Sequence, residues 1–236
     1  MKRFSKIGLN VIGGLAVIIM SFAYFVPADA KAGNRSNDRV NEGETLIAAA
    51  YNYAFASRKL NFTTSLKGNS GESKSGGFFI SDGKKGYLKI NGGAEFYYTP
   101  ELVTMYSPES NEMVIQPRKK KSKGDVSNPF SILDLDSRSV NVSLPTKEVV
   151  GGKELCYVTV TPVAKKGSAF SEAKIYVSGW NGAGSKVAVR KIVMISKSGA
   201  VYETVIVSAS SPAPALLENS VVDISKYPNA KVTDLR

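Results

Sequence analysis

Short runs of alternating apolar and polar residues, separated by turn signals, occupy most of this chain. In the first run, apolar Leu60, Phe62 and Leu66 alternate with polar neighbours, which is the period of a half-buried strand. At least nine such runs follow one another, joined mostly by short links of the kind that connect neighbouring antiparallel strands. The turn signals between them are Asp82-Gly83, Asn91-Gly92-Gly93, Gly151-Gly152, the Asn181 to Gly184 stretch and Ser198-Gly199. This pattern predicts a meandering antiparallel sheet large enough to curl.

A helix is predicted ahead of the strands. Apolar residues recur there at helical spacing, which predicts a helix from roughly Glu44 to Arg58 with one apolar face. The residues of this face are Ile47, Ala50, Tyr51, Ala54 and Phe55. Such a face usually packs against a core, although it also suits a ligand-binding wall. Two further segments, 128–136 and 212–217, interrupt the strand pattern and are candidates for short helices or covering loops.

The first 32 residues have the layout of a secretory signal peptide. Three basic residues near Met1 precede an apolar run from Val11 to Val26, and small residues then alternate up to Ala32. We expect cleavage after Ala30 or Ala32; the alternative is an uncleaved anchor, because the apolar segment is just long enough to cross a bilayer. The predicted organisation is a signal peptide (1–32), a flexible mature N-terminus (33–43) and a single domain (44–236). The expected location is the periplasm.

Composition narrows the chemistry. The chain has 31 basic and 20 acidic residues and no histidine, which excludes histidine-dependent nucleophile systems and His-ligated zinc sites. Removing the leader takes away four basic side chains and one acidic side chain, so the mature protein stays basic and suits acidic partners or anionic membrane surfaces. Export makes nucleic acid a poor candidate. The single cysteine, Cys156, lies in an alternating run, which predicts a buried, apolar role rather than a disulfide.

No set of residues predicts catalysis. Asp134 and Asp136 have the spacing of an aspartyl nucleophile and its acid partner, but such chemistry needs a βαβ framework and a phosphate cradle that the sequence does not contain. The other carboxylates are scattered and form no acid and base pair. We therefore expect a protein that is not an enzyme and that uses neither a cofactor nor a metal.

Four segments, in order, carry a resemblance to a known family. The segment from Glu101 to Ile115 resembles an apolar strand that ends in Tyr-x-Pro and leads into a second strand, and Asn128-Pro-Phe-Ser-Ile-Leu133 resembles an Asn-Pro followed by a short helix. Val158-Thr-Val-Thr-Pro162 is a strand that ends in proline, and the chain closes with the strand Tyr227 to Arg236. Together with the preceding helix, this order resembles the periplasmic outer-membrane lipoprotein carrier family (LolA-like).

The resemblance implies a fold and a function. The implied fold is α+β and mostly antiparallel β: a curved, incomplete β-barrel (half-barrel) covered by an N-terminal helix and short lid helices. The implied function is transport of lipoprotein acyl chains, or other lipid, in an apolar cavity. The implied partners are an inner-membrane lipoprotein-releasing transporter and an outer-membrane acceptor, and the carrier itself is expected to be a monomer. Alternation and the helical face give a candidate cavity wall, for which ordinary core packing is the alternative: Ile47, Tyr51, Phe62, Leu66, Phe79, Leu88, Phe96, Tyr98, Tyr106, Ile115 and Ile192.

Two features modify this expectation. The family has an Arg-Pro pair after its second strand, where the arginine latches the lid, whereas this chain has Asp82-Gly83 followed by Lys84 and Lys85. A basic loop is either a solvated linker or a docking site for an acidic partner or lipid headgroups, and its residues are Arg118, Lys119, Lys120, Lys121 and Lys123. The second candidate function is therefore an exported adaptor of the same fold, dry inside, that binds a protein partner through its basic surface.

Overall fold

The computed structural model describes residues 41–69, 71–118, 128–164, 168–211 and 226–236. The predictions for the leader, for 33–40, for the 212–217 segment and for Lys119, Lys120, Lys121 and Lys123 lie outside these residues. Within the described part of the chain, no helix combines the length and apolar character that crossing a bilayer requires.

The predicted helix is present as α1 (Glu42–Phe55). The Asn41 side chain caps it by accepting a hydrogen bond from the Gly43 amide at 2.9 Å, and two glutamates in the first turn complement the helix dipole. The helix ends three residues before the predicted Arg58, because Arg58 already begins the first strand and pairs with Ser81. Long-range strand pairing therefore decides where α1 ends.

In the described part of the chain thirteen strands form one sheet, and most neighbours are antiparallel, as the alternation predicted. They are β1 (Arg58–Gly68), β2 (Gly71–Ser81), β3 (Gly86–Ile90), β4 (Glu95–Tyr98), β5 (Leu102–Ser107), β6 (Glu112–Pro117), β7 (Val140–Val142), β8 (Thr146–Val150), β9 (Lys153–Pro162), β10 (Phe170–Ser178), β11 (Ala188–Ser196), β12 (Val201–Ser210) and β13 (Lys231–Asp234).

Two meanders make up this sheet. Strands β1 to β6 are neighbours in chain order, β9 to β12 are neighbours in chain order, and an antiparallel β1–β12 pair with a bulge at Asn61/Phe62 joins the two groups. The exception to antiparallel pairing is β13, which runs parallel to β6. Among the described strands, β13 at one end and β7 and β8 at the other are not paired with each other, so the sheet is open.

One face of the sheet carries the core. On this face α1 contacts β1, β2, β9 and β11, together with a short 3₁₀ helix, η1 (Pro129–Asp134). The Asn128 side chain caps η1, which lies within the 128–136 segment where a short helix or a covering loop was expected. Cys156 is buried in β9 without a disulfide, as predicted, and burial raises the pKa of its thiol. It belongs to the core cluster that α1 and η1 cover.

A close approach between β1 and β2 explains one glycine of the core. Gly77 lies opposite Phe62, and a Cβ at Gly77 would stand 2.3 Å from the Lys89 carbonyl oxygen and 2.7 Å from the Phe62 ring. The Phe62 ring therefore occupies the space that any side chain at position 77 would need. This glycine lets the aromatic side chain lie flat against the neighbouring strand.

We predict that Gly77→Ala lowers the free energy of unfolding by about 2 kcal/mol, because an added methyl overpacks a well-filled core. Gly76→Ala is the matched control, since a Cβ there meets only a flexible Asn91 amide at 3.3 Å and the Phe62 carbonyl at 3.6 Å. We expect the control to change stability by less than about 0.5 kcal/mol. Urea denaturation measures both; equal effects would contradict the proposed packing.

Candidate functional site

The core face holds a layer of aromatic side chains between α1, η1 and the sheet. Phe130 of η1 stacks on Phe79 of β2 at a centroid distance of 4.8 Å and meets Phe62 edge-on at 5.7 Å. Phe55, the last residue of α1, meets the other side of Phe79 at 5.2 Å and stacks on Tyr51 at 4.5 Å. Phe79 thus contacts both covering elements, and we call these five residues the aromatic layer.

The structure brings most of the predicted wall residues together on this face. Five of them are core side chains no more than 4% exposed, namely Phe62, Phe79, Leu88, Phe96 and Ile192. Ile47, Tyr51 and Tyr98 are partly buried against them. Leu66 lies farther along β1 on the same face and is half-buried, opposite Tyr202.

Register places the other two predicted wall residues on the opposite face of the sheet. Tyr106 pairs with Glu95, which is adjacent to Phe96 in β4, and Ile115 pairs with Thr104, which lies opposite Tyr97. Because successive residues of a strand point to opposite faces, neither side chain shares a face with Phe96. The alternation of β5 and β6 alone gave no means of choosing between the two faces, since both are apolar.

A shallow pocket opens beside the aromatic layer, where α1 ends. A water-sized sphere can occupy about 10 Å³ of it. Its lining combines an aromatic base with a basic rim: Phe55, Phe79, Tyr98, Ser81, Gly83, Gly86, Lys84, Lys85 and Arg118. The Ser81 hydroxyl, which is buried, donates to the Phe55 carbonyl at 3.0 Å and so fixes the end of α1 to β2. We call this opening the mouth.

Tyr98 and Arg118 connect the mouth to its surroundings. The Asn128 amide donates to the Tyr98 hydroxyl, which ties the start of η1 to the mouth. The Arg118 guanidinium donates to the carbonyls of Thr99 at 3.0 Å and Lys84 at 3.3 Å. Arg118 is the one residue of the predicted docking set within the described residues, and it lies at the rim rather than on a separate surface.

The opposite face carries a buried polar cluster that the sequence reasoning missed. Glu95 is 8% exposed, and its Oε2 accepts hydrogen bonds from the hydroxyls of Tyr87, Tyr97 and Tyr227 at 2.7, 2.9 and 3.0 Å. The Lys89 ammonium lies 3.0 Å from Oε1. Burial by itself would raise the pKa of Glu95, but these hydrogen bonds outweigh it and hold the pKa below its usual value.

The cluster anchors the end of the chain. Tyr227 reaches Glu95 and Tyr97 from the C-terminal segment and packs on Tyr106 at a centroid distance of 4.1 Å. Burial, followed by the hydrogen bond with Glu95, raises the pKa of Tyr87, so its hydroxyl remains a donor at neutral pH. The sequence contained a signal for part of this cluster, because Glu95 directly precedes three aromatic residues and lies across a turn from Lys89, with which it pairs. The contribution of Tyr227 had no local signal.

The carboxylates of the described residues do not gather into a metal site. No three Cys, Asp or Glu side chains there could hold a metal ion together. Asp136 caps a short turn and pairs with Arg138 at 2.8 Å, while Asp134 is the last residue of η1. The site is therefore defined by the aromatic layer and the mouth.

Comparison with known proteins finds similarity at the level of structure. The sequence matches no protein-family model and no curated protein. An uncharacterised conserved protein from Thermus thermophilus has a TM-score of 0.46 at 12% identity, over 81% of this chain and 97% of that chain. A LolA superfamily protein from Nitrosomonas europaea has a TM-score of 0.40 at 11% identity, over 73% and 94%. A domain named as a putative outer membrane lipoprotein-sorting protein from Vibrio parahaemolyticus has a TM-score of 0.36 at 10% identity, over 78% of this chain and 95% of that chain.

The lowered pKa of Glu95 sets a pH dependence. Because the folded pKa lies below the unfolded value of about 4.3, the stabilisation by the carboxylate is complete above that pH and is lost as the pH falls through the folded pKa. We predict that Glu95→Gln costs about 2 kcal/mol at pH 7 and less at pH 3. Glu154→Gln, at an exposed carboxylate paired with Lys147, should cost little at either pH.

Urea denaturation at both pH values measures these differences. A cost for Glu95→Gln that is the same at pH 7 and pH 3 would contradict a role for the charged carboxylate.

Proposed function

We propose that this protein is a non-enzymatic periplasmic carrier that holds the acyl chains of lipoproteins between α1 and the sheet. The observation that supports the proposal is the aromatic layer, which lies between the covering elements, α1 and η1, and the sheet. Two of its residues, Phe55 and Phe79, also form the base of the mouth. Apolar walls that converge on an opening are what a carrier of acyl chains needs, because such chains must be shielded from water during transfer.

The protein's own side chains fill the space between α1, η1 and the sheet. Pockets that hold small molecules usually measure about 300–1,000 Å³, whereas a water-sized sphere can occupy only about 10 Å³ of the mouth, so the mouth does not accommodate a long acyl chain as it stands. Uptake therefore requires α1 and η1 to move away from the sheet face. The acyl chain then takes the place of their contacts.

The attachment of α1 is compatible with such movement. Hydrogen bonds tie it to the sheet at its two ends, through Asn41 to the Val142 carbonyl and through Phe55 to Ser81. Between these ends the fully buried side chains of α1 are small apart from Leu46, since the others are Ala50 and Ala54. Exposing Leu46 costs about 2 kcal/mol, and exposing Phe130, Ile132 and Leu133 of η1 costs a similar amount for each. The gain on the order of ten kcal/mol from burying a long acyl chain is therefore needed to offset the opening.

Transfer between membranes completes the proposal. The partners are an inner-membrane lipoprotein-releasing transporter and an outer-membrane acceptor, and the protein acts as an exported monomer whose leader has been removed. The basic rim faces partners of negative charge, which such a surface attracts at long range. With Asp82-Gly83 in place of the Arg-Pro pair, the hydrogen bonds of Ser81 and Arg118 would hold the mouth closed.

A dry adaptor is the second candidate, and the close packing of the core face favours it. Phe79 is 1% exposed and Leu88 is fully buried. In an adaptor these side chains are an ordinary core, and the basic rim alone meets a protein partner. The two candidates differ in whether an acyl chain enters the core face.

We predict that Phe55→Gln weakens binding of monopalmitoylglycerol about tenfold. Phe55 is half-buried at the mouth, so a polar side chain removes apolar contact without emptying the core. The matched control is Phe78→Gln, since Phe78 is also half-buried but lies on the opposite face, edge-on to Tyr87. Equilibrium binding of the neutral lipid, together with the thermal stability of each variant, measures the difference.

Mass spectrometry of organic extracts from the protein, purified from a Gram-negative host, provides the parallel test. A carrier brings acylated lipid or lipoprotein with it. Protein that carries no lipid and binds no monopalmitoylglycerol would support the adaptor instead.

A further inference from the structure

The lining of the mouth is partly aromatic and partly cationic, and a purely apolar cargo would not require the cationic part. Its base is aromatic, whereas three cationic residues, Lys84, Lys85 and Arg118, line its rim. Among the described residues, no carboxylate forms an ion pair with any of the three. A group of cations that is not neutralised by the protein's own carboxylates attracts an external anion.

Backbone interactions hold these cations at the rim. Asp82 accepts hydrogen bonds from the amides of Lys84 and Lys85 at 2.8 and 2.6 Å, which fixes the turn that presents both lysines. Arg118 donates through Nη1 to the carbonyls of Thr99 and Lys84. Within the described residues, its Nε and Nη2 donate to no protein acceptor, so one edge of the guanidinium is available to an oxyanion.

We propose that the rim binds the phosphate of an anionic amphiphile whose acyl chain enters between α1 and the sheet. This inference rests on the proposed acyl-binding function and extends its cargo to a second class, because the acylated cysteine of a lipoprotein carries no phosphate. An amphiphile that inserts its chain past Phe55 and Phe79 leaves its headgroup at the rim. Phosphate oxygens there accept charge-assisted hydrogen bonds from the guanidinium and the two ammonium groups.

Two lipids that differ by one phosphate test the proposal. Palmitoyl lysophosphatidic acid and monopalmitoylglycerol share their chain and glycerol, so their affinity ratio isolates the phosphate. At low salt we expect the parent protein to bind the phosphorylated lipid roughly tenfold more tightly, with the ratio falling at high salt. The variant Lys84→Gln/Lys85→Gln should bring the ratio close to one, because the ratio cancels any change that affects both lipids equally. Arg118→Gln should lower the ratio as well, and for this variant the ratio alone is compared, because its hydrogen bonds to Lys84 and Thr99 also hold the mouth closed.

The control Lys67→Gln/Lys153→Gln removes the same charge from two exposed lysines that do not line the mouth, and it should keep the parental ratio. A ratio near one in the parent protein, or a ratio that falls as far in the control as in Lys84→Gln/Lys85→Gln, would overturn the phosphate site. Binding of monopalmitoylglycerol would still support the carrier. If the parent protein binds neither lipid, the carrier function itself is refuted. Displacement of the phosphorylated lipid by millimolar inorganic phosphate would assign the rim to the free ion and overturn the proposal.

Discussion

Burial of one sheet face beneath α1 and η1 is the interaction on which the rest of this structure depends. Phe79 is central to it, since its ring contacts Phe55 from α1 on one side and Phe130 from η1 on the other. The same contacts hold the mouth closed, because Phe55 and Phe79 form its base. Stability and proposed function therefore draw on one set of side chains. Any acyl chain that enters must replace contacts that these side chains make with one another.

The two faces of the sheet are specialised in different ways. The core face is apolar and is covered by elements that contact it mainly through side chains. The opposite face carries Glu95, whose carboxylate is held by three tyrosine hydroxyls and Lys89. Hydrogen bonds from these partners to a buried carboxylate are strong and directional. This cluster fixes β3, β4 and the C-terminal segment around Tyr227, so movement of α1 need not disturb that side of the sheet.

The sequence predicted the elements better than their arrangement. Period-two alternation correctly gave a mostly antiparallel sheet, and helical spacing gave α1 to within three residues at each end. The pairing of β1 with β12 and the parallel addition of β13 could not be read locally, because they join segments far apart in the chain. Tyr106 and Ile115 were grouped with the core face because an alternating strand does not reveal which of two apolar faces is inside.

The candidate site was predicted only in part for the same reason. The buried aromatics of the wall follow from alternation, but the mouth depends on residues from α1, β2, β4 and the end of β6 that meet only in the folded chain. Arg118 shows this well: in the sequence it begins a basic run, whereas in the structure it is bound to the turn that carries Lys84. The polar cluster of Glu95 likewise needs Tyr227, which is distant in sequence.

Photolabelling tests the proposed position of the acyl chain most directly. A monoacylglycerol with a diazirine at the end of its chain, irradiated in complex with the protein and mapped by peptide mass spectrometry, reports which side chains surround the chain. An acyl chain between α1 and the sheet predicts labels on α1 and on the core-face residues of β1 and β2, such as Phe62 and Phe79. Labels confined to the opposite face, around Tyr106 and Ile115, or bound lipid that labels neither α1 nor β2, would contradict it.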